Sequence, residues 1–419
     1  MDSIATQFFI EQALVSIRYL YVTSYVWLPF LLFVLFIKLW VDYLHTRVSY
    51  EAGSVLLEIK LPKEIRKSPL AMELVLTAMW QKGTMTFLDT YWKGKVVPNY
   101  SFELASIDGQ VHFYVWAPPK MRNIIEAQIY AQYPTVEIYQ VEDYTLKMRH
   151  DLSKTSMWAT YFILEKPDPY PIKTYIDFEL DKKASEEHQE TITDPLSMTI
   201  EYLGSLKKGE QAWIQILFRA HRSYGIDAGR LIKEPDWIKG VGGVDEQIEL
   251  ILKKYKPVKP EKDQPVMPIP QMTEEDKTIL SALNRSKSKY AFDVMIRGLY
   301  IAKNESFNPT SIVGLIGAFR QYDDKTLNNF KLGMFTDFDY PWQDFRRMRR
   351  SAREQGMLDA FKRRSFFYGM YQYWAQPKPF ILTTEELATI FHLPGGVVST
   401  PTLDRIASRK SEAPANLPI

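Results

Sequence analysis

The chain has 419 residues, a formal net charge of +2 and no cysteine. Near-neutral charge excludes a global pull towards nucleic acid, so any such binding must rest on a local patch. The lack of cysteine excludes a disulfide framework and thiolate metal sites, and a hydrophobic fraction of 46% gives enough apolar material for about two to three packed domains.

The first element is an uncharged stretch over residues 19–37. At 1.5 Å per residue it covers about 28 Å, close to the roughly 30 Å hydrocarbon core of a bilayer. Tyr19, Tyr21, Tyr25 and Trp27 gather at one end and Trp40 and Tyr43 at the other, with Arg18 and Lys38 as brackets; amphipathic rings favour the headgroup region. No small-residue cleavage site follows, so residues 1–48 read as an N-terminal segment with an uncleaved transmembrane anchor. The cations Lys38, Arg47, Lys60, Lys63, Arg66 and Lys67 follow the span, against Arg18 before it. The positive-inside rule therefore predicts a single-pass protein of the inner or plasma membrane with the bulk of the chain cytoplasmic.

Residues 50–150 then give a strand over 55–61, a helix opened by Ser68-Pro69 with Met72, Val75, Leu76 and Met79 on one face, and strands over 100–106 and 111–117. Asp108-Gly109 between those strands is a strong hairpin signal. A helix after Pro118-Pro119 and a strand over 136–141 complete a βαββαβ order. The same order is predicted over 155–338: a strand over 173–180, a helix from Asp194-Pro195, a strand over 212–221, a strand over 292–302, a helix from Asn308-Pro309 and a strand over 329–334. An insertion over 222–288 carries the proline-rich stretch 256–270 and a short helix capped by Thr273 with Asp276. The expected fold is α+β: a single N-terminal transmembrane helix followed by two tandem ferredoxin-like (βαββαβ) domains, with a basic helical segment and C-terminal extension over 339–419. The likeness of Ser68-Pro69-Leu70-Ala71-Met72 to Asp194-Pro195-Leu196-Ser197-Met198 points to a duplication.

Catalytic signals are lacking. There is no phosphate-binding G-x-x-x-x-G-K-[ST], the six histidines are scattered without H-E-x-x-H, and Ser205-x-x-Lys208 and Ser286-x-x-Lys289 have no partner motifs. The expectation is a non-enzyme with no catalytic residue, cofactor or metal. Binding surfaces are easier to find. Alternation over 111–117 puts His112, Tyr114 and Trp116 on one sheet face, to stack bases or to pack against the second domain or another subunit. Arg346, Arg347, Arg349, Arg350, Arg353, Lys362, Arg363 and Arg364 form a basic segment with interleaved phenylalanines. It suits DNA phosphates, anionic lipid or a subunit contact.

Residues 56–65, 111–114, 126–134, 299–303, 383–394 and 414–418 together resemble the N-terminal, pre-ATPase region of membrane-anchored type IV secretion or conjugative DNA-transfer proteins of candidate-phyla bacteria. In such proteins a RecA-like motor with Walker motifs follows. Here the sequence ends at Ile419, which implies a motor on a separate chain or one trimmed off, and the family's ATPase activity does not carry over. The resemblance implies a non-catalytic, oligomeric, membrane-anchored subunit that scaffolds or docks a RecA-like ATPase, with DNA as a further partner. Glu385, Leu387, Ile390, Phe391 and His392 lie where the family joins its motor, to dock that partner or to pack on the second domain. The alternative is a membrane-tethered nucleic-acid-binding protein without a motor.

Overall fold

The chain begins with one uninterrupted helix, α1 (Asp2–Glu51), in the computed structural model, which describes residues 2–62, 67–181, 194–225, 233–255, 271–338, 340–368, 376–394 and 405–406. The stretches 256–270 and 414–418 lie outside the described residues. From Leu14 to Trp40 the large apolar side chains of α1 stand exposed, apart from the half-buried Val34 and Ile37, whereas Val41 and Leu44 are buried against the body. Helix α1 is long and apolar enough to cross a membrane.

Then follow β1 (Val55–Pro62), α2 (Leu70–Met79), α3 (Phe87–Tyr91), β2 (Asn99–Ile107), β3 (Gln110–Ala117), α4 (Arg122–Gln132) and β4 (Glu137–Val141). The β2–β3 turn uses left-handed backbone at Asp108 and Gly109; a Cβ at Gly109 would lie 2.4 Å from the Leu206 carbonyl oxygen, so only glycine fits. The chain continues with β5 (Thr155–Leu164), α5 (Pro195–Gly204), β6 (Glu210–Ala220), α6 (Val244–Lys253), α7 (Glu274–Lys287), β7 (Ala291–Lys303), α8 (Pro309–Arg320) and β8 (Phe330–Phe335). It closes with α9 (Met348–Arg363), β9 (Phe380–Thr383), α10 (Thr384–Ile390) and β10 (Arg405–Ile406).

The ten described strands make one sheet, β10-β1-β3-β2-β6-β7-β5-β8, with β4 also on β1 and β9 also on β7. Every pairing is antiparallel except β1 with β10. The path β4-β1-β3-β2 is repeated in reverse by β6-β7-β5-β8, and β2 and β6 pair from Asn99↔Arg219 to Ile107↔Gln211. The two halves thus share one unbroken sheet. On one face lie α2, α4, α5 and α10, packed over Leu57, Phe102, Phe113, Ile214 and Phe292. On the other, Met357, Leu358 and Phe361 of α9 pack with Tyr114, Trp213, Met295 and Leu299. Helices α6 and α7 build a third cluster around Trp237, Val244 and Leu283 that closes on Ala291 and Leu327 of the body, so the insertion packs on the second half through a small core.

Two expectations need correction. Residues 173–180 form turns, not a strand: the Thr174 amide and hydroxyl both donate to the Asp177 carboxylate, at 2.8 and 3.0 Å, which closes the chain on itself. The strand of that half is β5. Its centre, residues 157–162, is buried on both faces, so it lacks the alternation that betrays a strand. At α2 the helical turn begins on Pro69 with no side-chain cap, whereas Asp194 and Asn308 cap α5 and α8 by accepting the amides of Leu196 and Thr310.

Candidate functional site

Helix α9 and its flanks divide the eight cations of the basic segment between interior and surface. Arg364, in left-handed backbone just past the helix end, is 2% exposed and faces Glu103 of β2, which is fully buried. Its Nε and Nη2 donate to the Glu103 carboxylate at 2.9 and 3.0 Å, and the guanidinium also pairs with Asp143. Glu103 further accepts from the hydroxyls of Ser101 and Tyr144 at 2.9 Å each and from Gln215 Nε2 at 2.7 Å. Arg297 Nε donates to Gln215 Oε1 at 2.6 Å. These groups come from β2, the segment after β4, β6, β7 and the residue that follows α9, so a satisfied charge network spans the seam between the two halves of the sheet.

Arg350 pairs with Asp337 at 2.7 Å and Glu354 at 2.8 Å, and Glu354 also meets His150 at 3.0 Å. Arg353 donates to the Phe335 carbonyl and lies 3.9 Å from the Phe338 ring centroid. Lys362 donates to the Met148 carbonyl at 2.5 Å. The exposed members are Arg346, Arg347, Arg349 and Arg363, the last paired with Asp359 at 3.4 Å. Asp344 accepts the amides of Arg349 and Arg350 at 2.8 and 2.9 Å, and so supplies the cap that α9 otherwise lacks.

Arg346 and Arg347 both hold left-handed backbone, φ 56° and 57°. For residues with a side chain this costs about 1–2 kcal/mol each. With Leu152, Thr155 and Ser156 they line an open groove of about 610 Å³. Met348 also lines it, and Trp342 and Phe345 stand exposed on the segment that leads into Arg346, the Tyr340 and Trp342 rings stacked with centroids 4.6 Å apart. The groove lies far from α1. The foot of α1 meets Arg219 and Tyr368, near the Ala220↔Phe292 end of the β6–β7 pair, whereas Thr155 pairs with Lys303 at the other end of β7. Eleven residue steps along β7, from Phe292 to Lys303, separate these ends, roughly 40 Å.

The sheet face carrying His112, Tyr114 and Trp116 is not an open stacking surface. Tyr114 is buried and stacked on Tyr144 at 4.8 Å, Tyr144 meets Trp213 edge-on, and His112 pairs with Glu58 at 2.7 Å. Nor do the docking residues form a surface. Glu385, Leu387, Ile390, Phe391 and His392 are all at most 2% exposed. Phe391 stacks on Phe102 at 4.2 Å, and Glu385 pairs with Arg285 at 3.0 Å. Thr383 and Glu386 form a buried capping box, and Glu386 also accepts the Ile172 amide at 3.0 Å. Burial pushes the Glu386 carboxyl up to about 7 against those donors. His392 Nε2 meets Asp194 at 3.0 Å, the residue that caps α5. Burial works against the charged form of both, yet their mutual attraction prevails, raising the imidazole's pKa and lowering the carboxyl's.

A single charge inside an apolar strand, Glu103 in Ser101-Phe102-Glu103-Leu104, was the sequence signal for the buried network. Its partner Arg364, 261 residues away, stood out only as one member of the basic segment. Among the described residues no three His, Asp or Glu side chains cluster as a metal site requires. No curated protein matches the chain. Residues 47–406, from the foot of α1 to β10, match the family described as a domain of unknown function, DUF8128, and the chain belongs to that family.

Proposed function

We propose that the protein is a non-catalytic, membrane-anchored subunit of a type IV secretion-like translocation apparatus, single-pass in the inner or plasma membrane, which holds a RecA-like motor ATPase on the cytoplasmic side. The observation that carries this reading is the continuity of α1: one helix runs from an exposed apolar stretch into a body where Val41 and Leu44 are buried. Such a joint transmits position rather than chemistry. In this reading the body is two ferredoxin-like units joined edge to edge through β2 and β6, consistent with the reversed strand order. Oligomers of it would present a ring to the motor. The test is purification of the full chain in detergent from its native membrane: a RecA-like ATPase should co-purify. Recovery without any nucleotide-hydrolysing partner, or a reporter fused after Ile419 that reads outside the cytoplasm, would overturn it.

A second reading, a membrane-tethered nucleic-acid-binding protein, is favoured by one observation: Arg346, Arg347 and Arg349 are exposed beside Trp342 and Phe345. Cations interleaved with exposed aromatic rings suit a single strand, whose phosphates and bases they meet in turn. The roughly 40 Å between the groove and the foot of α1 favours nucleic acid over lipid as their ligand.

A further inference from the structure

Beside the foot of α1 the short helix α3 is turned inside out. Thr90 is fully buried, while Phe87, Leu88 and the following Trp92 are 58, 66 and 78% exposed. The element is well made despite this inversion: Thr86 and Asp89 form a reciprocal capping box, and Lys93 pairs with Asp89 at 3.1 Å. Apolar surface of this kind, built rather than frayed, marks a contact.

Its level along α1 is fixed. Trp40 Nε1 donates to the Tyr91 carbonyl at 2.9 Å, and Gly94 presses its backbone onto Leu44, where a Cβ would lie 2.9 Å from the leucine side chain. The uncharged stretch ends at Ile37, so Trp40 to Leu44 stand three to seven residues further on, roughly 5–10 Å along the helix. That rise matches the headgroup layer, about 5–8 Å per leaflet. No linker intervenes to lift the body away. Lys38, Lys93 and Lys95 flank the patch, as suits an anionic headgroup region.

We propose that Phe87, Leu88 and Trp92 enter the headgroup–acyl boundary of the phospholipid leaflet in which α1 ends, seating the body on the bilayer and fixing its rotation about α1. This rests on α1 crossing the membrane. Because the chain has no cysteine, Leu88→Cys, Leu31→Cys and Leu152→Cys each create a unique labelling site at an exposed position of the full chain. Each variant, carrying an environment-sensitive fluorophore, is reconstituted into phosphatidylcholine–phosphatidylglycerol vesicles. The labels at 31 and 88 should be blue-shifted, lose most of their emission to a nitroxide on the lipid chain and resist aqueous iodide; the label at 152 should behave oppositely. A label at 88 quenched by iodide while that at 31 meets lipid overturns the proposal and leaves the span intact. One shielded from both quenchers assigns the patch to a protein neighbour and overturns it as well. Iodide access at 31 defeats the span and the proposal together.

Discussion

The two ends of the α9 segment are alike in sequence, Arg346-Arg347-Met348-Arg349-Arg350 and Lys362-Arg363-Arg364, yet their outermost cations, Arg346 and Arg347 against Arg364, are opposite in situation. At the far end Arg364 is locked between Glu103 and Asp143 under the helix; at the near end Arg346 and Arg347 stand in solvent on strained backbone. The difference is made by carboxylates elsewhere. A run of cations becomes structure where buried acids face it and remains a surface where none do.

The sharpest test of that contrast is Arg364→Ala. It leaves Glu103 charged, buried and short of two donors, and removing one partner of such a pair costs about 3–5 kcal/mol. Denaturant unfolding of the detergent-solubilised chain should show this loss. Restoring most of it in Arg364→Met with Glu103→Gln would confirm that the unpaired charge, not poorer packing, is responsible. A loss below about 1 kcal/mol in the single variant would mean that the network is wetter than its geometry indicates.

A comparable effect is expected from Leu387→Ala, because α10 is a buried part of the helical layer and the truncation leaves a cavity, for about 2–5 kcal/mol. Preserved stability would return α10 to the role of a removable docking helix. The same region should respond to pH through His392 and Asp194. Pairing raises the imidazole's pKa in the folded chain, so its stabilisation is complete below the unfolded value of about 6.5 and fades as pH climbs through the folded one. Pairing lowers the Asp194 carboxyl, so that contribution holds above about 3.9 and fades as pH falls through the lower folded value. Melting temperature should therefore fall as pH rises above about 6.5, and His392→Gln should flatten that fall, leaving the one that Glu386, with its carboxyl raised to about 7, contributes below it.

What the sequence disclosed follows the same division. Elements with local signals were legible: the apolar stretch of α1, the Asp108-Gly109 hairpin, and the caps Asp194 and Asn308, each of which acts within a few residues of itself. β5 was missed because burial of both faces erases its alternation, and residues 173–180 misled because their apolar residues serve turns that dock on α10 through the Tyr175 amide and Thr389. At the candidate site the cations were legible as a group. Their sorting was not, since it depends on Glu103, Asp143 and Asp337 meeting them only in the folded chain. For α10, the resemblance suggested docking while packing stood equally open, and the closing of the core around Phe391 and His392 is a tertiary fact.

The smallest expected effect on stability tests the other end of the comparison. Changing Arg346, Arg347 and Arg349 together to Gln removes three exposed cations that touch no buried acid, so stability should stay within about 0.5 kcal/mol of the original, as for surface changes in general. Binding should not be spared. If these arginines meet phosphates of a single strand, affinity for polynucleotide of any sequence should drop, and the slope of log affinity against log salt should shrink by about 0.7 for each phosphate left unneutralised. Trp342→Ala, which removes a ring but no charge, should weaken binding by about 1–3 kcal/mol with the salt slope unchanged. The two signatures together require both the phosphate and the base interactions of a nucleic-acid strand. Loss of stability in the triple variant, with binding unaltered, would instead make the near end of the segment as structural as the far one.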